Sequence, residues 1–411
     1  MERECCIINA SGREAMPVKV FHTGDIHACA KHHAWVQRAL SHAIDTAIAE
    51  RCDLGVVAGD SFDSAISAHE PAFVNFISEC ARIADAMPLA IIYGTQSHDR
   101  PGSLDVLRAM PSRFPIHVFD QPAQIEIAGV LVSALPGLNK SEPEIMAMGA
   151  KQWARGVMSR LGKGNAAARA VGIPSILITH GTVTGCTTES RFALVSPDHE
   201  LDLESLSLAD ADAVLAAHIH RHQAWPNVRT PSGAQTTIAY PGSLARLVHG
   251  HHDPVGFLIW DIEPGRASFE FHPSPARKLL EIEFDGAPDM AELRALAETA
   301  GPDDAVRIRW TLDEEHAHAA DKQAIREIFA NAGSCKLEPT ILPIQRVRAA
   351  GIGRAATLAD KLAHWYETTG SVGDLPEALS MLEQIQSADP ADIVARLTGT
   401  LTQPRTMRTA A

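Results

Sequence analysis

Apolar and polar positions in the first third of the chain follow two alternating periods. Val18-Lys19-Val20-Phe21 and Leu54-Gly55-Val56-Val57-Ala58 are short apolar runs of buried-strand type, and Leu89-Ala90-Ile91-Ile92-Tyr93 is a third. Between them, residues 33–51 carry Val36, Leu40, Ile44 and Ile48 at four-residue steps, which predicts a helix, and residues 70–87 predict another. Strands alternating with helices of this length imply parallel pairing in a layered α/β domain. Further strands are expected at Val130-Leu131-Val132-Ser133, Ser175-Ile176-Leu177-Ile178 and Ala213-Val214-Leu215-Ala216. Two more, at Thr237-Ile238-Ala239 and Phe257-Leu258-Ile259-Trp260, are expected to close the second sheet of a sandwich.

Pro264-Gly265 and Pro273-Ser274-Pro275 mark the first boundary. A small α/β unit should follow: a strand at 278–284, a helix at 289–299, a strand at 306–310 and a helix at 320–332. Beyond about residue 350 the pattern is helical. Leu358, Leu362 and Trp365 share one face; Asp374, with Glu377 three residues on, caps a helix bearing Leu375, Leu379 and Leu382. Asp389-Pro390 opens a last helix with Ile393, Val394 and Leu397. The expected division is a loose leader at 1–16, a sandwich domain at 17–275, a capping α/β domain at 276–348 and a helical segment at 349–411.

Composition narrows the class. With 411 residues, 45% of them hydrophobic and 21% charged, the chain can bury a large core. It has no apolar run near the roughly 20 residues of a membrane helix, and its N-terminus lacks a secretory pattern. Seven cysteines with no Cys-x-x-Cys pair fit reduced thiols and a cytoplasmic location. The net charge of −14 argues against general polyanion binding. Residues 139–170 nevertheless gather Lys140, Lys151, Arg155, Arg160, Lys163 and Arg169, a solvated helix face or a nucleic-acid contact.

Chemistry enters through six short stretches, five of them at or just after a predicted strand. They are Gly24-Asp25-Ile26-His27, Gly59-Asp60-Ser61-Phe62-Asp63, Gly94-Thr95-Gln96-Ser97-His98-Asp99, Thr179-His180-Gly181, Ala217-His218-Ile219-His220 and Tyr240-Pro241-Gly242-Ser243-Leu244. Hard oxygen and imidazole donors gathered at one sheet edge suit two divalent metals and a phosphate ester. Each stretch alone is weak evidence; their order and their placement at strand ends make the case.

The set resembles the calcineurin-like metallophosphoesterase superfamily. Within it, the second and sixth stretches and Gly256-Phe257-Leu258-Ile259 resemble the SbcD-type DNA exonuclease subunit. The resemblance implies a four-layer β-sandwich flanked by helices, with a capping domain and a helical tail. It implies that Asp25, His27 and His220 bind one metal, that Asp60 bridges, and that His180 and His218 bind the second. Manganese is the metal it favours, with iron or zinc also compatible. The third stretch departs from the family's Gly-Asn-His-Asp/Glu by two extra residues and has no Asn. Gln96 offers the same amide oxygen and Ser97 a weaker or water-mediated contact; Gln96 is favoured. Ala217 stands where Gly is usual. His98 is the expected general acid, and Asp63 either orients a ligand or is a surface carboxylate. His222, His249, His251 and His252 are expected to be solvated loop residues.

The resemblance also implies DNA as substrate, an SMC-like SbcC-type ATPase docked on residues 355–400, and a homodimer. No nucleotide-binding loop is present, so any ATP dependence would belong to that partner. Two other readings are a small-molecule phosphodiesterase and a non-catalytic scaffold. The capping domain speaks against the first, and the retained Asp25, His27, Asp60, His98, His180, His218 and His220 against the second.

Overall fold

The computed structural model describes residues 17–188, 201–249, 251–343, 351–369 and 373–394. The leader and Leu397 lie outside them.

The chain opens with β1 (Val18–Thr23), α1 (His33–Ala49), β2 (Leu54–Val57), α2 (Pro71–Ala86), β3 (Leu89–Ile92) and β4 (Ile116–Phe119). A second run follows: β5 (Ala123–Ile127), β6 (Val130–Leu135), α3 (Pro143–Met148), α4 (Ala150–Ala170) and β7 (Ser175–His180). It continues through α5 (Leu203–Ser207), β8 (Ala213–Ala217), β9 (Gln223–Arg229) and β10 (Gln235–Tyr240). Then β11 (Gly256–Glu263) and β12 (Arg266–Pro273) return to the first sheet. The two six-stranded sheets have the orders β12-β11-β1-β2-β3-β4 and β5-β6-β7-β8-β10-β9. Strands β1 to β4 are mutually parallel, as are β6, β7, β8 and β10.

Alternation within each strand builds four layers. In β1, Val20 faces the space between the sheets and Phe21 faces α1 and α2; in β7, Ile176 and Ile178 face that space and Leu177 faces α4. Strands apolar on both faces cannot sit at a solvated surface, so helices must cover each sheet. Each such side chain contributes about 1.5–3 kcal/mol of burial.

Two expectations about the end of the sandwich change. β10 joins the second sheet beside β8, but β11 pairs antiparallel with β1 in the first, Val20 opposite Trp260. Every residue from Gly256 to Trp260 is buried, so periodicity can show a core strand without saying which sheet holds it. Pro264-Gly265 is the turn between β11 and β12, with Gly265 at φ +82°, rather than a boundary.

Next come β13 (Leu279–Asp285), α6 (Met290–Thr299), β14 (Ala305–Asp313), α7 (Lys322–Ile328) and β15 (Ser334–Leu342), in a sheet of order β13-β14-β15. Leu293, Val306, Ile308, Trp310 and Ile325 are buried there. Then come α8 (Leu358–Thr369) and α9 (Leu375–Ser387), and residues 390–394 are again helical, where the last helix was expected to open; Asp374 caps α9 by accepting from Glu377 N at 3.4 Å. By compactness the chain divides into Met1–Phe284, Pro288–Trp310 and Asp321–Glu338 on one side and Asp285–Ala287, Thr311–Ala320 and Pro339–Ala411 on the other. Cys29, Cys52, Cys80, Cys186 and Cys335 are free thiols. Among the described residues no helix is long and apolar enough to cross a membrane.

Candidate metal centre

Parallel strands bring their C-terminal ends to one edge, so the loops after β1, β2, β3, β7 and β8 emerge together. Backbone bonds tie the first two: Asp25 N donates to Gly59 O (3.1 Å), His27 N to Asp60 O (3.1 Å) and Ala28 N to Ser61 O (2.9 Å). Four residues here hold left-handed backbone without being glycine: Asp25 (φ +47°), His27 (+49°), Asp60 (+50°) and His218 (+113°). Such conformations cost of order 1 kcal/mol or more each and persist where the surroundings over-determine them.

The crossing is tight. A Cβ on Gly59, itself at φ +95°, would lie 2.6 Å from His180 Nδ1 and 2.7 Å from Gly94 Cα. A Cβ on Gly24 would lie 2.6 Å from the Ala217 Cβ, so the methyl at 217 is accommodated by the bare backbone opposite it.

Three groups of side chains converge, one of them His27, Asp63 and His98, which shares His27 with the first of the two described next. Asp25, His27 and His220 offer ligand atoms all within 4.8 Å of one another, and so do Asp60, His180 and His218. In the first, His27 Nε2 and His220 Nε2 are 2.9 Å apart. In the second, His180 Nε2 is 3.2 Å from both His218 Nδ1 and Asp60 Oδ2. The Nδ1–H of His180 donates to Ala58 O (2.8 Å), which aims Nε2 at the cluster. Asp25 accepts from His218 N at 3.1 and 2.9 Å, tying one group to the other.

Electrostatics fits divalent ions. Burial, aided by neighbouring histidines, pushes His27 and His218 down to about 3, so both are neutral donors at pH 7. Burial raises Asp25. Burial would raise Asp60 as well, yet His180 outweighs it and holds the carboxyl below its usual range; in return Asp60 overcomes burial and lifts His180 to about 9. Facing imidazole nitrogens, buried carboxylates and a buried His27 Nδ1 without a hydrogen-bond partner are what a cation would resolve.

Around them lies a cleft of about 480 Å³ lined in part by His98, Asp63, Lys31, His32, Leu247 and Val248. His98 Nδ1–H donates to Asp63 O (2.6 Å), and its Nε2 lies 4.0 Å from Asp60 Oδ2. The exposed Asp63 carboxylate is 3.9 Å from His27 Nδ1. Gln96 and Ser97 are exposed on a turn. Thr95, which no motif singles out, reaches the cluster: its N and Oγ1 donate to Asp60 Oδ1 at 2.7 and 2.9 Å.

Asp99 is a second addition to the site, and its place directly after His98 is the one signal in the sequence that points to it. It is buried and accepts from Ser61 N (2.9 Å), Phe62 N (3.3 Å) and Gly94 N (2.9 Å), joining the second stretch to the third, and burial pushes it up to about 7. The sixth stretch supports His220. Ser243 N donates to His220 O (2.9 Å), and a Cβ on Gly242 would come within 2.7 Å of that oxygen.

Two surface expectations change. His251 is 1% exposed, and His222 is half-buried, donating to Tyr240 O and stacking on Phe271; only His252 of that set is open to solvent, with His249 intermediate. For His222 the cover comes from strand and aromatic residues distant in sequence. In the basic 139–170 segment, Lys151 pairs with Asp202, Arg155 with Glu204, and Arg169 with Asp210 and Asp212. Lys151, Arg155 and Arg169 are therefore matched by acids within the fold.

No family model matches the chain, and no curated protein does. Among solved structures it is similar to a dimetal phosphatase from Danio rerio, with 10% identity and a TM-score of 0.41, over 62% of this chain and 100% of that one.

Proposed function

We propose that the chain is a metal-dependent phosphodiesterase that cuts DNA, as the nuclease subunit of a cytoplasmic repair or recombination complex with an SMC-like ATPase. The observation that carries it is the pair of Asp-His-His groups, Asp25/His27/His220 and Asp60/His180/His218, opening on one cleft with His98 at its edge. Two divalent ions, manganese in this reading, would neutralise the phosphate and make water nucleophilic near pH 7. The protein's own part is to present imidazole and buried carboxylate donors, and to hold a proton for the leaving oxygen. His98 suits the second of these roles, because its bond to Asp63 O fixes the proton on Nδ1 and turns Nε2 toward Asp60 and the cleft. The motif resemblance supports DNA as substrate, and the uncovered apolar faces of α8 and α9 support docking of the ATPase through residues 355–400.

A small phosphodiester is the second reading. The pairing of Arg155 and Arg169 within the fold favours it, since it removes cations that would follow a phosphate backbone.

Manganese-stimulated cleavage of a labelled duplex and of bis(p-nitrophenyl) phosphate separates the two. Asp60→Ala should abolish both activities. His98→Ala should lower DNA cleavage by about 10²-fold or more and the ester far less, because nitrophenolate leaves without a proton. Ester hydrolysis with no DNA cutting would select the small substrate, and no metal-dependent activity on either would remove the phosphodiesterase reading.

A further inference from the structure

The third stretch differs from the family pattern by two residues, and the structure shows where they go. Thr95 O accepts from His98 N (3.0 Å) and Asp99 N (2.8 Å), closing a turn with Gln96 and Ser97 at its exposed apex. His98 is thereby returned to the cleft. The position after Gly94, where the family has its amide ligand, belongs to Thr95, and Thr95 has no amide.

What it has is a hydroxyl, and that hydroxyl is committed. Two donors from one residue, N and Oγ1, converge on Asp60 Oδ1 at 2.7 and 2.9 Å. Two hydrogen bonds satisfy the lone pairs of a carboxylate oxygen. The other oxygen, Oδ2, is left facing His180 Nε2 at 3.2 Å and His98 Nε2 at 4.0 Å. A backbone donor alone would let the carboxylate swing about its last torsion. The second donor, on a β-branched side chain stiff at χ1, removes that freedom.

The geometry assigns Thr95 as a positioning residue: its hydroxyl pins Oδ1 of Asp60, so that binding of the ion held by Asp60, His180 and His218 depends on residue 95. The assignment rests on the metal-dependent reading above. It also explains how the centre keeps its shape without the family's Asn. The loop uses its side chain to orient a ligand rather than to be one, and the second group is left with Asp60, His180 and His218 as its His and carboxylate donors.

The test is titration of the metal-stripped full chain with Mn²⁺ alone, following bound metal by calorimetry and electron paramagnetic resonance. Wild type should take up two ions. Thr95→Val keeps the shape and the backbone donor but loses the hydroxyl; it should weaken the ion held by Asp60, His180 and His218 by about tenfold, and the other by no more than that, since Asp60 is the expected bridge, while Thr95→Ser should restore the affinity. A melting curve without metal checks that both variants fold. Equal binding by wild type and Thr95→Val, or failure of Ser to rescue, would each overturn the assignment. A wild-type chain that binds no Mn²⁺ would instead overturn the phosphodiesterase reading, and the role of Thr95 with it.

Discussion

The crest of the sandwich and the α8–α9 pair depart from the burial rule in opposite directions. At the crest, groups that prefer water are inside: Asp25 is 0% exposed and Asp60 2%, beside a nearly sealed His180. On the helices, groups that avoid water are outside: Met381 is 57% exposed and Ile385 58%, and neither helix has a buried residue. The first departure costs stability within the fold and is held in place by strained backbone and close crossings. The second costs little locally, because side chains that stay this exposed contribute little burial to lose. A site that must keep a fixed geometry is paid for by the rest of the molecule, whereas an exposed apolar face needs only to be left uncovered.

The sharpest way to break this contrast is at Gly59. Its φ of +95° is strained for any other residue, and a Cβ there would meet both His180 and the Gly94 backbone. Gly59→Ala should cost about 3 kcal/mol and separate Asp60 from His180, abolishing metal-dependent hydrolysis. Denaturant melts and Mn²⁺ uptake check it. A stable variant with normal uptake would mean that the crossing of the two sheets is softer than its distances imply.

How much of fold and site is legible in the sequence follows from the range of the interactions. Asp25 and His27 announce themselves because a strand end and a two-residue spacing are local features, and the same holds for His218 and His220. The helix spanning Val36 to Ile44 and the cap at Asp374 are equally local. Thr95 is illegible because its role depends on Asp60, 35 residues away, and on a turn that points Gln96 outward. The sheet assignment of β11 is illegible for a related reason: a strand buried on both faces carries no mark of its neighbours. His222 and His251 look solvated because polarity is visible in a sequence and burial by residues distant in the chain, such as the Phe271 ring on His222, is not.

His22 sharpens the comparison with a smaller effect. It is fully buried on β1, where Trp260 Nε1 donates to its Nδ1 at 3.4 Å and its Nε2 has no partner. Burial, with a lesser contribution from His222, pushes it down to about 3, against an ordinary 6.5. The unfolded chain therefore takes up a proton in that window that the fold refuses. Stability is fully present above about pH 6.5 and falls as pH drops toward 3, by about 2 kcal/mol between pH 7 and pH 5. His22→Leu should lose that share of the acid slope, whatever its stability at pH 7. Melts at both pH values decide it, and an unchanged slope would show that His22 is not neutral because of burial.

The smallest effect on the fold should come from the helices. Ile385 lies on α9 with 58% of its surface open, so Ile385→Asp removes little burial and should change stability by no more than about 0.5 kcal/mol. If the face is where a coiled coil docks, the same substitution sets a charge against an apolar surface, where a desolvated carboxylate has no partner. Co-purification with the ATPase should then be lost while hydrolysis of bis(p-nitrophenyl) phosphate is untouched, the reverse of what Gly59→Ala does. Retained association would remove Ile385 from the docking surface, and a large loss of stability would mean that the exposed face already supports the fold. A variant that separates binding from chemistry would show that the two departures from the burial rule serve separate ends.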